Sequence, residues 1–223
     1  TFVESLQKAL RSMERNYTGL VNLRLSEMYG KELSWGEEKR IIIENISTPN
    51  SKRIFYIKTA IRKGIPLETI NNVTGIDKWF LIKLQHIYAI KQQLIAFDKL
   101  EAIPAPLLLE AKKRGFSDFQ IVRLVLDCND DQIETQMSRL RQIRKKLNII
   151  PWVKQIDTLA AEYPAQTNYL YLTYSGNAHE PAFLNDGKSV VVLGSGAYRI
   201  GSSVEFDWCG VNALQEISKQ GLR

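Results

Sequence analysis

Apolar residues recur at helical spacing through the first two thirds of the chain. Phe2, Leu6, Leu10 and Met13 fall at steps of four, four and three, which predicts an amphipathic helix over residues 2–13. Residues 16–19 break it. Residues 20–51 lack a clean period and take Trp35 and the Ile41, Ile42, Ile43 run as anchors, with a helix over 38–46 ending before Ser47, Thr48 and Pro49. From Arg53 the period is regular: Ile54, Ile57, Ala60 and Ile61 lead to Gly64, a residue suited to a left-handed helix end. Pro66 and Glu68 open a short helix carrying Ile70 and Val73. After the Thr74-Gly75 turn, Asp77 caps a longer helix with Phe80, Leu81, Leu84, Ile87, Tyr88 and Leu94.

The same succession returns 51 residues later, counted from Gly64 to Gly115. Residues 107–114 match the first helix, Ser117 caps the short one with Ile121 and Leu124, and 130–147 form the long one. This is a doubled helical unit, and each copy is small enough to need a partner for its core. Beyond Pro151 the texture changes. Residues 152–174 are rich in Tyr, Thr and Ala, and Tyr169, Tyr171 and Tyr174 predict a packed extended or crossing segment whose phenols reach polar partners or water. Residues 176–187 read as a surface loop.

Residues 189–193 (SVVVL) are β-branched and apolar on both faces, the pattern of a buried parallel strand. Gly194, Gly196 and Gly201 turn the chain, and apolar spacing over 204–217 predicts a helix. That is the opening unit of a doubly wound sheet, whose ligand sites lie at strand ends. One such strand needs neighbours to form a sheet. The chain also enters a helix directly from Thr1. Both features predict the middle portion of a longer protein. The fold class expected is mainly α, a helical domain followed by the first strand, turn and helix of an α/β domain.

Composition narrows the function classes modestly. The chain has 223 residues, 44% of them apolar, and no apolar run near the ~20 residues of a membrane span. Cys128 and Cys209 make neither a metal spacing nor a disulfide framework, which suits a reducing compartment. The Asn16, Asn45 and Asn72 sequons would matter only in a secreted protein. A net charge of +6 permits nucleic-acid contact. The densest basic cluster, Arg139, Arg141, Arg144, Lys145 and Lys146, closes a helix that opens with Asp130, Asp131 and Glu134, an arrangement the helix dipole favours without any ligand. The doubled unit also resembles a helix-turn-helix, but Asp77, Asp130 and Asp131 would meet an anionic groove.

Candidate chemistry is sparse. His86 sits on a helix among apolar residues and reads as structural; His179, in a polar loop, reads as solvated. Gly194-Ser195-Gly196 with Gly201 misses the dinucleotide fingerprint, because the third glycine comes five residues after the second, and the phosphate-loop Lys is absent. Arg199, Glu205 and Asp207 lie near the strand end. They either line a polar passage or pair with one another to order the turn.

LGSGAYRIGSSVEFDWC resembles the opening of the second synthetase half of carbamoyl phosphate synthetases. TFVESLQKALRSME is similar to the helix closing the first half, and RIFYIKTAIRKG, TGIDKWFLIKL, LLLEAKKRGFSD and IDTLAAEY are similar to the oligomerisation domain between the halves. The SSVEFDWC wording is similar to eukaryotic members. The resemblance implies the closing helix of the first half at 1–19, the oligomerisation domain at 20–151, a Tyr-rich connector at 152–187 and the start of the second pre-ATP-grasp domain at 188–223.

It further implies a ligase that makes carbamoyl phosphate from bicarbonate, glutamine-derived ammonia and two ATP, with Mg2+ and K+ serving the parent enzyme and none bound by this segment. The segment itself would hold no catalytic residue and no metal ligand. It would link the halves, mediate homo-oligomer formation and line a carbamate tunnel through Ser203 and Glu205, with Gly194, Gly196, Arg199, Gly201 and Asp207 shaping the adjoining loop. Its partners would be the two ATP-grasp halves and a glutaminase subunit or domain, with no nucleic acid and no membrane. The implied location is cytoplasmic, with mitochondria as the alternative, and the implied pathways are pyrimidine or arginine synthesis. The competing readings are a stand-alone helical scaffold and a basic helix-turn-helix binder.

Overall fold

A computed structural model describes residues 1–13, 18–20, 23–126, 128–164, 166, 169–183, 186–193 and 204–223, with side chains in the last range from 208 onward. It is mainly helical. Helices α1 (Phe2–Ser12), α2 (Leu25–Tyr29) and α3 (Trp35–Ser47) precede the first copy of the repeat, α4 (Arg53–Arg62), α5 (Leu67–Thr74) and α6 (Lys78–Leu94). The second copy is α7 (Ala105–Lys113), α8 (Asp118–Val125) and α9 (Asp130–Lys146). Strands β1 (Trp152–Gln155) and β2 (Leu170–Thr173) follow, then α10 (Val204–Lys219).

The repeat is borne out in its cap geometry. Gly64 (φ 78°) and Gly115 (φ 82°) end α4 and α7 in the left-handed conformation. In each, the following amide closes the six-to-one bond of a Schellman motif: Ile65 N to Ala60 O and Phe116 N to Ala111 O, both at 3.0 Å. Asn148 (φ 56°) ends α9 the same way, with Ile149 N bonding Arg144 O at 2.8 Å. Asp77 caps α6 as expected, its Oδ1 accepting from Trp79 N at 2.7 Å. Buried Ile57, Ala60, Ile70, Leu81, Ile87 and Leu94 of the first copy share one core with Leu108, Ala111, Ile121 and Leu140 of the second.

Within the helices, three expectations need correction. The inward face of α1 carries Val3, Glu4, Gln7 and Leu10, whereas Met13 is exposed, so polar side chains occupy half of the buried stripe. Trp35 is no anchor: it is 48% exposed at the start of α3, which begins three residues earlier than the apolar run suggests. A capping box sets that start, Ser34 and Glu37 each satisfying the other's backbone amide. His86 is exposed on α6.

The tyrosine-rich segment supplies both strands of an antiparallel pair. Trp152 pairs with Thr173 and Gln155 with Leu170. The free edge of β1 is covered by the loop that follows: Val153 N donates to His179 Nδ1 at 3.0 Å, Gln155 N to Glu180 Oε2 at 2.7 Å, and Glu180 N to Val153 O at 3.1 Å. His179, expected to be only solvated, also packs between the rings of Trp152 and Phe183.

Residues 188–193 form no regular strand, and Val191 and Leu193 are 83% and 89% exposed rather than buried. The reason is physical: a parallel strand is buried only by neighbouring strands and by helices on both faces. The first such pairing is nevertheless present. Arg223 N donates to Lys188 O at 2.7 Å and Val190 N donates to Arg223 O at 2.5 Å, the bond pattern of a parallel bridge between Ser189 and Arg223. The chain therefore returns after α10 to lie parallel to its own start, as a strand, helix, strand crossover requires.

Candidate functional site

The described residues that concentrate polar chemistry lie where α1, the second helical copy and the hairpin meet. Helix α1 delivers Glu4, Gln7 and Arg11 to this junction because they sit three and four apart on one face. Gln7, fully buried, donates through Nε2 to Arg114 O at 3.0 Å and accepts from Gln120 Nε2 at 3.1 Å. Arg11 donates to Gly115 O at 2.7 Å and to Gln120 Oε1 at 3.1 Å. Gln120 also completes the capping box of α8 with Ser117. Helix α1 thus binds the carbonyls left open at the end of α7, satisfying groups that burial would otherwise penalise.

Gly115 is what lets it come so close. A Cβ there would stand 2.9 Å from Glu4 Cα and 3.1 Å from Glu4 O, both backbone atoms.

A buried ion cluster forms the second layer. Asp118 receives Lys112 Nζ on one carboxylate oxygen at 2.8 Å and Arg144 Nη2 on the other at 2.5 Å. Arg144 further donates to Tyr174 Oη at 2.7 Å and to Ile149 O at 3.3 Å, and Lys112 to Phe116 O at 2.8 Å. The Tyr174 ring lies 5.0 Å from Lys112 Nζ and 5.6 Å from the Arg144 guanidinium carbon. Burial alone would raise the Asp118 pKa, but Lys112 and then Arg144 outweigh it and hold the carboxyl below its ordinary value. Burial raises the Tyr174 phenol, so it stays neutral and able to hydrogen bond.

The hairpin is tied in at two further points: Thr173 Oγ1 donates to Glu4 Oε2 at 2.7 Å, and Lys8 Nζ donates to Leu172 O at 2.5 Å and to Glu4 Oε1 at 2.9 Å.

The Lys112 ammonium and both terminal nitrogens of Arg144 have acceptors among the described residues, while Arg144 Nε is buried without one. Among the described residues no group of three or more potential metal ligands occurs. The arrangement suits holding elements together rather than turning over a substrate. It was missed in the sequence, although a signal existed: Gln7 and Lys112 fall on the apolar stripes of their helices, where a polar residue needs a buried partner.

The site residues expected from the resemblance stand elsewhere. Gly194, Gly196, Arg199, Gly201 and Ser203 lie outside the described residues; Glu205 and Asp207 fall within α10, whose side chains are described only from Trp208 onward.

The chain thus joins a helical, paired-repeat domain to a strand-like segment and helix with the start of parallel pairing. Residues 1–148 match the family described as the carbamoyl-phosphate synthetase large chain, oligomerisation domain, and residues 186–223 match the carbamoyl phosphate synthase preATP-grasp domain. The chain belongs to the carbamoyl-phosphate synthetase large-chain family.

It is 41% identical, over 100% of its length, to the mitochondrial carbamoyl-phosphate synthase [ammonia] of Aquarana catesbeiana, covering 14% of that protein. It is 41% identical, again over 100% of its length, to the multifunctional protein URA2 of Saccharomyces cerevisiae, covering 9%. Against the mitochondrial arginine-specific large chain of Schizosaccharomyces pombe it is 40% identical over 99% of its length, covering 17%. The chain thus spans less than a fifth of these relatives. Neither the stand-alone scaffold nor the nucleic-acid reading finds support among them.

Proposed function

We propose that this chain is the central, non-catalytic segment of a carbamoyl phosphate synthetase, connecting and orienting the two synthetase halves. The observation that carries the reading is the order of the two matches along one chain, oligomerisation domain at 1–148 and preATP-grasp domain at 186–223. The parallel bridge between Ser189 and Arg223 supports it, because it starts a doubly wound sheet at the predicted place. Exposed Val191, Leu193, Trp208, Val211 and Leu214 give that sheet an apolar surface to bury against further strands and helices.

On this reading residues 1–19 close the first half, 20–151 form the oligomerisation domain, 152–187 connect, and 188–223 open the second half. The parent enzyme joins bicarbonate and glutamine-derived ammonia into carbamoyl phosphate, with ATP phosphorylating first bicarbonate and then carbamate. ATP with Mg2+ and K+ would bind the halves and none would bind this segment. A glutaminase subunit or domain supplies the ammonia, and the segment self-associates through its helical face. The parent works in the cytoplasm, or in mitochondria as the names of two relatives do for theirs.

The residues proposed to touch the reaction path are Ser203 and Glu205, lining the passage for carbamate, with Gly194, Gly196, Arg199, Gly201 and Asp207 shaping the loop beside it. Enclosing the passage keeps water from an unstable intermediate. The test is Ser203→Phe in the whole synthetase. Bicarbonate-dependent ATP hydrolysis should persist while carbamoyl phosphate per ATP falls; a ratio equal to that of the wild type would remove Ser203 from the passage.

A further inference from the structure

Between the two helical copies lies a cavity of about 360 Å3, the size of a small-ligand pocket. Four cationic side chains reach it: Arg24, Lys58, Lys91 and Arg123. No carboxylate among the described residues lines it. Arg24 and Arg123 each hold an acidic partner at the rim, Glu27 and Asp130. Lys58 and Lys91, facing each other from α4 and α6, form no ion pair among the described residues.

Lys58 is 1% exposed, and its ammonium, with three donors, reaches a single acceptor among the described residues, Leu20 O at 2.5 Å. Arg62, on the same helix, adds positive charge behind it, and its buried Nε, like that of Arg144, has no partner among the described residues. Thr18 offers a hydroxyl, and Leu20, Ile87 and Phe116 make an apolar wall. Excess buried cation beside an open space is the inverse of the Asp118 cluster. There a carboxylate sits between the cations; here, among the described residues, none does.

We infer that the cavity between the helical copies is a binding site for a phosphate-bearing anion, held by Lys58 and Lys91 with Arg24 and Arg123 at the rim. A phosphate dianion matches two ammonium groups in charge and offers several acceptors to the Lys58 ammonium, which has one among the described residues. Burial, together with Lys91 and Arg62, lowers the empty-site Lys58 pKa to about 7, and burial with Arg62 and Arg24 lowers that of Lys91. Binding therefore draws a proton onto the site. The source is either free phosphate or an organic phosphomonoester, the latter using the apolar wall.

The experiment is calorimetric titration of the 223-residue chain with inorganic phosphate at about pH 8, where phosphate is already the dianion, in two buffers of different ionisation enthalpy. The expected result is binding in the millimolar range or tighter, with proton uptake. Lys58→Met should weaken it by about tenfold or more and abolish the uptake, and Lys91→Gln, a milder change on a half-buried side chain, should weaken it comparably. Absence of binding, absence of proton uptake, or unchanged affinity in both variants would overturn the site. Ribose 5-phosphate titrated in parallel separates the sources: tighter binding than phosphate assigns a phosphomonoester, equal binding assigns the free ion, and both support the anion site.

Discussion

The two helical copies share a chain path and helix-end geometry but treat a buried lysine in opposite ways. In the second copy Lys112 on α7 meets Asp118, which also binds Arg144, and the group is closed by Tyr174. In the first copy Lys58 on α4 meets, among the described residues, one backbone carbonyl beside a cavity and two more cations. One scaffold therefore hosts a finished ionic joint and an open one. The finished joint faces the hairpin and α1, where a fixed attachment is needed. The open one faces a space between the copies.

The comparison can be broken most strongly at Asp118. Asp118→Ala leaves Lys112 and Arg144 buried without a counter-charge and should destabilise the chain by about 3–5 kcal/mol, read from urea unfolding. The first copy should behave otherwise. Lys58 has a folded-state pKa of about 7, below the ordinary value that the unfolded chain keeps, so the unfolded chain binds more protons between those limits. Stability from this group is lowest below about pH 7 and rises with pH toward about 10.4, a gain on the order of 2–4 kcal/mol. Lys58→Met should remove that alkaline rise and match or exceed wild-type stability at neutral pH. Unfolding midpoints of the two proteins between neutral pH and about pH 10 check it.

A smaller effect separates the two glycine turns. Gly64→Ala meets no atom within 4 Å and loses only the backbone preference, about 1 kcal/mol. Gly115→Ala adds the approach to the Glu4 backbone and should cost about 1–2 kcal/mol more. Equal losses at the two positions would mean that α1 is not pressed against the second copy.

Much of this architecture was legible because local rules and packing agree. The glycine turns, the Asp77 and Ser117 caps and the isoleucine and leucine stripes of α4 to α9 each announce themselves within a few residues. The junction was not legible because its partners are distant in sequence: Gln7 meets Gln120, and Glu4 meets Thr173. Residues 20–51 misled for another reason. Their helix start is written in the Ser34–Glu37 capping box, while the apolar run that draws attention begins only at Ile41. The strand at 189–193 shows the limit from the other side, since its composition declares burial but only distant chain can provide it.

The claim at the centre is that the ionic junction ties the helical domain to the hairpin and so sets how the following α/β unit is carried. Thr173→Val tests it with little change of volume, because it removes the hydroxyl that donates to Glu4. The measurement is carbamoyl phosphate formed per ATP consumed in the whole synthetase carrying this substitution. The account predicts a lower yield per ATP with bicarbonate-dependent ATP hydrolysis retained. A yield equal to that of the wild type, from an enzyme in which the Glu4 contact has been lost, would contradict it.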